Sequence, residues 1–434
     1  MYRSFFVFLV LAAPFIMSAQ TDVSSRSKYY SAADGISLVE IVRQAFANNG
    51  EVKIARLEVD KARARLTQAE LRPNPALEIE QSSGRFVGSP GDSELSLGVS
   101  LPLEVYGQRS SRIALAKSEI TLREAEVALR QREIATRIFT DYAEALAAHR
   151  ELSILEEIIG LDTRTVTFVQ IRVNEGDTAP LELNMLQTEV SRLRSQQQLA
   201  EGKLQASLTR LKFYAGVPYE QPIRLREEIS TSAFPMLPAT LETSLQVGLR
   251  TRPEIRLAEL EEHLAGAGLR LVRAQSRPDI SATARYSQNR SVFDDPRGEY
   301  FQKDRSLTFG ISIGLPVFNR NQGAKAEAEI AIRQAQERRT FAQQVVRNEI
   351  IIAFQRIEAA NRALNTLETS VLPRSRDNVE VVRRVYEIGE VKVTDLIAEQ
   401  RRLLDANRDL TATLTERYRA QADLFIALGL TLDN

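Results

Sequence analysis

The chain has 434 residues, and its 57 basic and 57 acidic side chains give a formal net charge of zero at neutral pH. This balance gives no indication of nucleic-acid binding or of long-range steering of a charged partner. The sequence contains no cysteine, which excludes a disulfide framework, a thiolate metal site and a nucleophilic thiol.

Residues 1–19 have the pattern of a secretory signal peptide. Arg3 precedes an apolar run from Phe5 to Met17, and small residues follow the run up to Ala19. The run is shorter than the ~20 apolar residues that a membrane-spanning helix needs. We therefore predict cleavage after Ala19, rather than a buried N-terminal helix, and a flexible polar leader over residues 20–35.

The next segment predicts a helix followed by a β-hairpin. Apolar residues recur at helical spacing from Ile36 to Leu71, and Arg72-Pro73 ends this helix because a proline disfavours the helical conformation for the residue before it. The apolar period then changes to two, over Leu77–Gln81 and again over Leu95–Leu101. This alternation predicts a hairpin over residues 75–101.

A long helical pair follows the hairpin. Residues Gln108–Val173 contain no proline and a single glycine, so they predict one helix of roughly 100 Å at ~1.5 Å per residue. Two series of apolar residues recur every seven positions, which indicates a helical neighbour on each side. A glycine-containing turn then reverses the chain, with Thr178 placed to cap a helix over Leu181–Ala215.

The second half of the chain repeats this order. Three motifs recur after roughly 200 residues, which indicates a duplicated domain: Arg72-Pro73 as Arg277-Pro278, Leu101-Pro102 as Leu315-Pro316, and Ala215-Gly216 as Leu428-Gly429. The predicted boundaries are a first repeat over 36–216, a proline-containing linker over 217–238, a second repeat over 239–430 and a tail over 431–434.

Within the second repeat, the hairpin is predicted over residues 279–315. Its strands are Ile280–Ser287 and Leu307–Leu315, separated by a long loop. The long helix is predicted over Gln322–Ile388, interrupted by Pro373. Thr394 is placed to cap the returning helix.

The cleaner strands have one apolar face and one face of Ser, Thr and Gly. In a soluble sandwich the apolar face would meet a core, whereas in a transmembrane barrel it would meet lipid. Four strands are too few to close a barrel, and lipid does not tolerate an open strand edge. If these are membrane strands, several chains must share one barrel, and three chains would supply twelve strands.

No pattern in the sequence indicates catalysis or a resident metal. His149 and His263 lie in different repeats on helical segments, so a packing or surface role is predicted for both. Met185 and Met236 are far apart, and the usual phosphate-loop, hydrolase and metalloprotease motifs are missing from the sequence. We therefore predict no enzymatic activity and no cofactor.

These features together resemble the TolC family of outer-membrane efflux ducts over nearly all of the mature sequence. The resemblance is carried by the Arg-Pro breaks before both hairpins, the glycine-containing turns and Ala215-Gly216-Val217-Pro218. It implies a mainly α fold with a small β part, built from a duplicated helix–β-hairpin–helix protomer. Three protomers would form a 12-stranded transmembrane β-barrel continued by a long α-helical periplasmic barrel.

A narrower resemblance concerns the cargo. The segment from Leu101 to Arg109, followed by Arg112, and the segment from Leu315 to Gly323 are similar to the CzcC-type branch, although Gln108 stands where that branch usually has lysine. Relatives in that branch serve heavy-metal cation pumps. The resemblance implies an outer-membrane homotrimer that receives cations from a periplasmic adaptor and a proton-driven inner-membrane pump, with no nucleic-acid partner.

Two alternatives remain at this point. A duct of the same fold could serve drug or other small-molecule efflux, or type I protein secretion. A periplasmic coiled-coil adaptor or scaffold would share the long helices and the signal peptide. The alternating strands argue against an adaptor, because its hairpin has no reason to present lipid-facing strands.

The resemblance also implies three groups of functional residues. The adaptor is expected to dock at the two turns, on Val173, Asn174, Glu175, Gly176, Asp177, Thr178, Leu181, Tyr386, Ile388, Gly389, Glu390, Val391, Lys392, Val393 and Thr394. A periplasmic gate is implied at Asp395 and Glu399, although Asp395, in the first turn of a helix, is also expected to cap that helix. The lipid-facing residues would be Leu95, Leu97, Val99, Leu307, Phe309, Ile311 and Ile313.

Overall fold

The computed structural model describes residues 28–87, 91–230, 234, 237–296 and 298–430. Long helices make up most of it, and one four-stranded antiparallel sheet lies at one end of these helices. The predicted signal peptide, residues 20–27 of the leader and the tail over 431–434 lie outside the described residues. Within those residues, no helix is both long and apolar enough to cross a bilayer.

In the first repeat, the predicted helix over residues 36–71 is two helices, α1 (Leu38–Asn48) and α2 (Gly50–Glu70). Asn49 separates them because its backbone is extended and its side chain accepts a hydrogen bond from the amide of Glu51, as an N-cap residue does. The following helices agree with the prediction to within one residue: α3 spans Gln108–Asn174 and α4 spans Pro180–Ala215.

The second repeat contains α5 (Leu241–Thr251), α6 (Pro253–Gln275), α7 (Gln322–Thr366), α8 (Leu372–Glu387) and α9 (Val393–Ala427). The predicted interruption at Pro373 is a π-helical segment, Leu367–Val371, between α7 and α8. Proline lacks an amide hydrogen and crowds the carbonyl four residues before it. One wider turn accommodates it without ending the helix.

The sheet has the strand order β1 (Ala76–Ser83), β2 (Ser93–Leu103), β3 (Asp279–Asp295) and β4 (Gly298–Gly314). The two hairpins join through β2 and β3, where Leu97 pairs with Tyr286. The long loop predicted in the second hairpin was wrong: residues 288–295 and 298–306 continue the ladder as far as the pair Asp295 and Gly298. Backbone pairing continues there although the apolar alternation has ended.

The shorter helices lie end to end beside the long ones. α2 and α4 pack along α3, while α6 and α9 pack along α7. Gly216 follows the last residue of α4 and lies against Asn48, and Gly429 lies two residues after the end of α9, against Thr251. Both glycines have positive φ, and a Cβ at Gly216 would lie 2.8 Å from the Cβ of Asn48. Each repeat therefore needs a glycine where its two shorter helices meet.

The apolar core around the first of these junctions includes segments predicted to be irregular. Leu225 and Ile229, in the linker over 217–238, are almost fully buried. The prediction of a flexible leader was wrong for residues 28–35. Tyr29 is buried, and the amide of Ser31 donates to the carbonyl of Leu225 at 2.9 Å. These two segments pair because Leu225 supplies both backbone hydrogen bonds and an apolar side chain.

Candidate functional site

Two helical turns with the same backbone conformation form the end of the bundle remote from the sheet. Gly176, between α3 and α4, and Gly389, between α8 and α9, both have φ of +83°. The amide after each glycine donates to a carbonyl five residues earlier, from Asp177 to Arg172 at 2.9 Å and from Glu390 to Val385 at 3.1 Å. This is the Schellman termination, which uses the left-handed conformation that glycine adopts at little cost.

The predicted threonine caps were wrong in both turns. α4 begins at Pro180 with Ala179 in the cap position, because proline has the helical φ and needs no amide partner in the first position. Thr178 lies before that cap. α9 begins at Val393, so Thr394 is already inside the helix. The amide of Lys392 instead donates to the carboxylate of Asp395 at 3.2 Å.

The two turns are held together by a buried apolar cluster, which contains Val169, Leu183, Leu186, Tyr386, Val393, Leu396 and Ile397. The hydroxyl of Tyr386 donates to the carboxylate of Glu182 at 3.0 Å. Burial and this hydrogen bond raise the pKa of Tyr386, so the hydroxyl stays a donor at physiological pH. Two of the predicted docking residues, Tyr386 and Val393, are therefore buried and position the turns.

The remaining predicted docking residues are partly or fully accessible. Val173, Thr178 and Val391 are half-buried, and the exposed members are Asn174, Glu175, Gly176, Asp177, Leu181, Ile388, Gly389, Glu390, Lys392 and Thr394. Leu181 is 66% exposed and Ile388 is 71% exposed. The turns thus present two apolar side chains in a polar surround, a composition that suits a protein interface.

A polar layer lies next to this cluster, in the interior of the bundle, and sequence patterns did not indicate it. Asp162 on α3 is 1% exposed, and the side-chain amide of Gln400 on α9 donates to its Oδ1 at 2.6 Å. Among the described residues, neither Oδ2 of Asp162 nor Oε1 of Gln400 has a hydrogen-bond partner. Burial raises the pKa of Asp162 to about 6. A proton on Oδ2 would supply the donor that both oxygens lack.

Glu189 on α4 belongs to the same layer but has the opposite electrostatic environment. Burial acts to raise its pKa, but hydrogen bonds from Arg192 and Arg401 outweigh burial and lower the pKa to about 2. Arg401 Nη2 lies 2.7 Å from a carboxylate oxygen of Glu189. The layer therefore holds one ionised carboxylate and one carboxyl group that favours its neutral form.

Both predicted gate carboxylates have partners within the chain. Asp395 is exposed and accepts the hydrogen bond from the amide of Lys392. Glu399 forms an ion pair with Arg402, one helical turn later. These contacts show that Asp395 serves as a helix cap.

The sheet separates its residues into an apolar and a polar face. The register places Leu97, Tyr286 and Leu307 in one row across β2, β3 and β4. All the residues predicted to face lipid lie on this face, and Phe309 and Ile311 are among the most exposed. On the opposite face, Arg285 bonds to Glu78, Glu80 and the hydroxyl of Ser96.

The two histidines take different positions. His149 is buried and stacks on the ring of Tyr30, with 5.5 Å between ring centroids, whereas His263 is exposed on α6. In the part of the chain that the structure describes, no group of three or more His, Cys, Asp or Glu side chains could hold a metal ion.

Comparison with known sequences places these features in one family. A sequence profile described as outer membrane efflux protein matches residues 41–217 and 245–430. The cobalt-zinc-cadmium resistance protein CzcC of Cupriavidus metallidurans is 22% identical over 401 residues, which are 92% of this chain and 91% of CzcC. The cation efflux system protein CusC of Escherichia coli is 25% identical over 403 residues, 90% of this chain and 85% of CusC.

Other relatives differ in the cargo that their names state. The pyoverdine export outer membrane protein OpmQ of Pseudomonas putida is 22% identical over 427 residues, 93% of this chain and 87% of OpmQ.

A crystal structure of CusC has a TM-score of 0.74 at 21% identity and covers 95% of this chain and 96% of that chain. This likeness confirms the predicted mainly α fold with its small sheet.

Proposed function

From the premise that this chain belongs to the family of outer membrane efflux proteins, we propose that three copies form the exit duct of a tripartite efflux system for heavy-metal cations. The chain is an outer-membrane channel component and not an enzyme. In the proposed assembly it receives cargo from a periplasmic adaptor and an inner-membrane pump. The duct is passive, and the pump supplies the driving force.

The sheet carries this proposal. Its apolar face is exposed over Leu77, Leu97, Phe309 and Ile311, and within the chain β1 and β4 are edge strands. In lipid, such edges would leave backbone groups without hydrogen-bond partners. Each unpaired group would cost about 2–7 kcal/mol, as for any amide that is buried without a partner. Three sheets joined edge to edge remove every edge and give twelve strands. Periodicity of this kind places apolar residues toward lipid and polar residues toward the lumen.

The connectivity supports the proposed orientation in the membrane. All four helix connections leave the sheet at the same end, next to Ala76, Leu103, Asp279 and Gly314, while the turns of both hairpins lie at the other end. The helices then run into the periplasm, and the hairpin turns face the exterior. The turns at Gly176 and Gly389 become the periplasmic end of the duct.

The cargo proposal is supported by similarity to CzcC and CusC and by the charge of the polar face. Among the described strand residues, Glu78, Glu80, Glu94, Asp279 and Asp304 share that face with one cation, Arg285. A lumen with an excess of carboxylates attracts cations. Pyoverdine, the cargo named for OpmQ, is the second candidate, because OpmQ and CzcC are equally identical to this chain at 22%.

The docking proposal uses the exposed residues of the two turns. A tryptophan at Asp177 or Lys392 is expected to block adaptor contact without disturbing the buried cluster, because both side chains are exposed. Metal export by cells should be lost while the trimer still forms. Arg194→Trp, at an exposed position on α4, is the matched control and should leave export unchanged. Normal export with both turns blocked would contradict the docking site.

The gate proposal concerns Asp395 and Glu399. Three copies of each carboxylate around a narrow opening would repel one another and bind cations, in addition to the capping contact of Asp395. Single-channel recording of Asp395→Asn and Glu399→Gln should show higher resting conductance or weaker block by multivalent cations. Unchanged conductance and block in both variants would limit these residues to capping and ion pairing.

Cell fractionation tests the proposed function directly. The mature protein should be recovered in the outer membrane and should migrate as a trimer before heating. Deletion of its gene should raise cellular heavy-metal content under metal stress, and the wild-type chain should restore efflux. Recovery as a soluble periplasmic monomer without detergent would contradict the proposal. Restored resistance to organic compounds alone would favour the second candidate cargo.

A further inference from the structure

The apolar face of the sheet changes character toward the hairpin turns. On β4 the residues of this face are apolar from Ile313 to Leu307, and the next two are Arg305 and Lys303. On β3, Arg290 lies directly opposite Lys303 in the register. Arg290, Lys303 and Arg305, here called the basic rim, are therefore neighbours on the face that the proposed function assigns to lipid.

The position of the basic rim matches the level of lipid headgroups. The apolar residues of this face run from Leu307 to Leu315, on the order of 27 Å along the strand at ~3.4 Å per residue. A strand tilt of ~40° reduces this length to roughly 21 Å, close to the ~25 Å apolar band of outer-membrane barrels. Arg305 lies one row beyond that band and Lys303 two rows beyond it. Their long side chains can reach outward while their methylene groups stay on apolar surface.

No ion pair among the described residues neutralises the charges of the basic rim. Its three side chains belong to exposed residues, and no ion pair joins any of them to another described residue. The guanidinium of Arg290 instead lies over the ring of Phe301, 4.2 Å from its centroid. This stacking fixes the plane of the guanidinium and leaves its N–H groups available to an anion.

We propose that the basic rim binds the phosphate groups of outer-leaflet lipids, with their acyl chains on the adjoining apolar face. This inference rests on the proposed membrane orientation of the sheet. A planar guanidinium binds phosphate through two parallel hydrogen bonds, and two further cations lie within one strand pair of it. The apolar rows beside the basic rim favour a lipid over free phosphate, because a soluble anion gains nothing from Leu307 and Phe309.

The test compares lipid binding by two charge-matched triple variants of the full-length mature protein. One carries Arg290→Gln, Lys303→Gln and Arg305→Gln. The control carries Arg194→Gln, Lys203→Gln and Arg333→Gln, three exposed helical positions with no ion pair to a described residue. Each protein is reconstituted in phosphatidylcholine nanodiscs and titrated with bisphosphorylated lipid A, with dephosphorylated lipid A and with inorganic phosphate.

Wild type and control should bind bisphosphorylated lipid A at least on the order of tenfold more tightly than dephosphorylated lipid A, a preference that the rim variant should lose. All three proteins should insert as trimers, since the rim lies outside the apolar band. Equal preference in the rim variant and wild type would overturn the inference while leaving the duct intact. Binding of inorganic phosphate as tight as binding of bisphosphorylated lipid A would also overturn the inference, because it would indicate a site for free anions. Failure of the wild type to insert into any bilayer would overturn the proposed function itself.

Discussion

The helical bundle and the sheet place their large side chains in opposite environments. In the bundle, Tyr142, Leu211 and Leu225 are fully buried within the single chain, whereas in the sheet Phe309 is 75% exposed and Ile311 is 73% exposed. The bundle supplies most of its own core, and the sheet does not. We propose that lipid covers the exposed side chains of the sheet and that two further copies of the chain pair with its edge strands.

Arginines show the same contrast. Arg252, at the junction of α5 and α6, is 2% exposed and pairs with Glu254 and Glu349, while Arg132 on α3 pairs with the same two carboxylates. Burial lowers the pKa of Arg132 to about 10, so it remains charged. Arg285, in the sheet, also contacts two carboxylates, but all three groups are accessible.

The largest expected effect is the loss of the buried arginine. Arg252→Ala removes a buried side chain together with its hydrogen bonds to Glu254 and Glu349. It should lower the free energy of unfolding by about 3–5 kcal/mol, because a hydrogen bond to a charged group contributes roughly 1.5–3 kcal/mol. Arg285→Ala removes a solvent-screened pair and should change stability far less. Denaturant unfolding of the detergent-solubilised protein measures both. Equal losses would mean that the sheet charges are as buried as those of the bundle.

The next effect concerns the two faces of the sheet. Ile311→Arg should destabilise the membrane-inserted protein by roughly 2–4 kcal/mol if the position lies near the bilayer midplane. Ser312→Arg, on the exposed polar face, is the matched control and should be tolerated. Ser96 is unsuitable as a control because it is 3% exposed beneath Arg285. Similar losses at Ile311 and Ser312 would show that neither face contacts lipid.

The buried carboxyl of Asp162 should make the bundle less stable at high pH. Its folded-state pKa of about 6 exceeds that of an exposed aspartate, so the unfolded chain releases the proton first and the unfolding free energy falls as pH rises from about 4 to 6. Asp162→Asn can donate to and accept from Gln400 as the protonated acid would. Above pH 6 it should exceed wild type by at most about 3 kcal/mol, at 1.36 kcal/mol per pKa unit.

Glu189→Gln is the control for Asp162→Asn and should have the opposite sign. Because Arg192 and Arg401 hold the pKa of Glu189 low, its contribution is present above the unfolded pKa and is lost as pH falls toward 2. Glu189→Gln should therefore destabilise the protein at neutral pH. A gain in stability for both variants would mean that the polar layer does not distinguish the two carboxyl groups.

The smallest expected effect is at the helical turns. Gly176→Ala and Gly389→Ala should each cost about 1–2 kcal/mol, because an alanine disfavours the left-handed conformation and no steric clash adds to this cost. The two losses should be equal if the repeats terminate alike. A clear difference between the two would show that the turns are not equivalent in the folded protein.

The sequence was most informative where an apolar pattern with one period continues over many consecutive residues. The bounds of α3 agree to one residue because no proline interrupts Gln108–Asn174, and the alternation of β2 indicated both its strand type and its faces. The break at Asn49 was missed because the apolar period continues through it. The threonine caps were predicted wrongly because the sequence of a turn does not determine at which residue the next helix begins.

Contacts between distant segments were beyond sequence reasoning. Residues 28–35 pack because Leu225 lies opposite them, and nothing near Tyr29 indicates that partner. The hydrogen bond between Asp162 and Gln400 joins residues 238 positions apart. Such pairs become visible only when α3, α4 and α9 are placed together.

The central claim, that three chains close one barrel, can be tested by disulfide trapping because the chain has no native cysteine. Ser82→Cys on β1 is combined in turn with single cysteines on the polar face of β4 from Gln302 to Ser312. Within one chain these edge strands are three strand spacings apart, roughly 14 Å, too far for a disulfide. We expect at least one pair to give a covalent trimer on a non-reducing denaturing gel of outer-membrane fractions. Monomers from every oxidised pair would contradict the shared barrel.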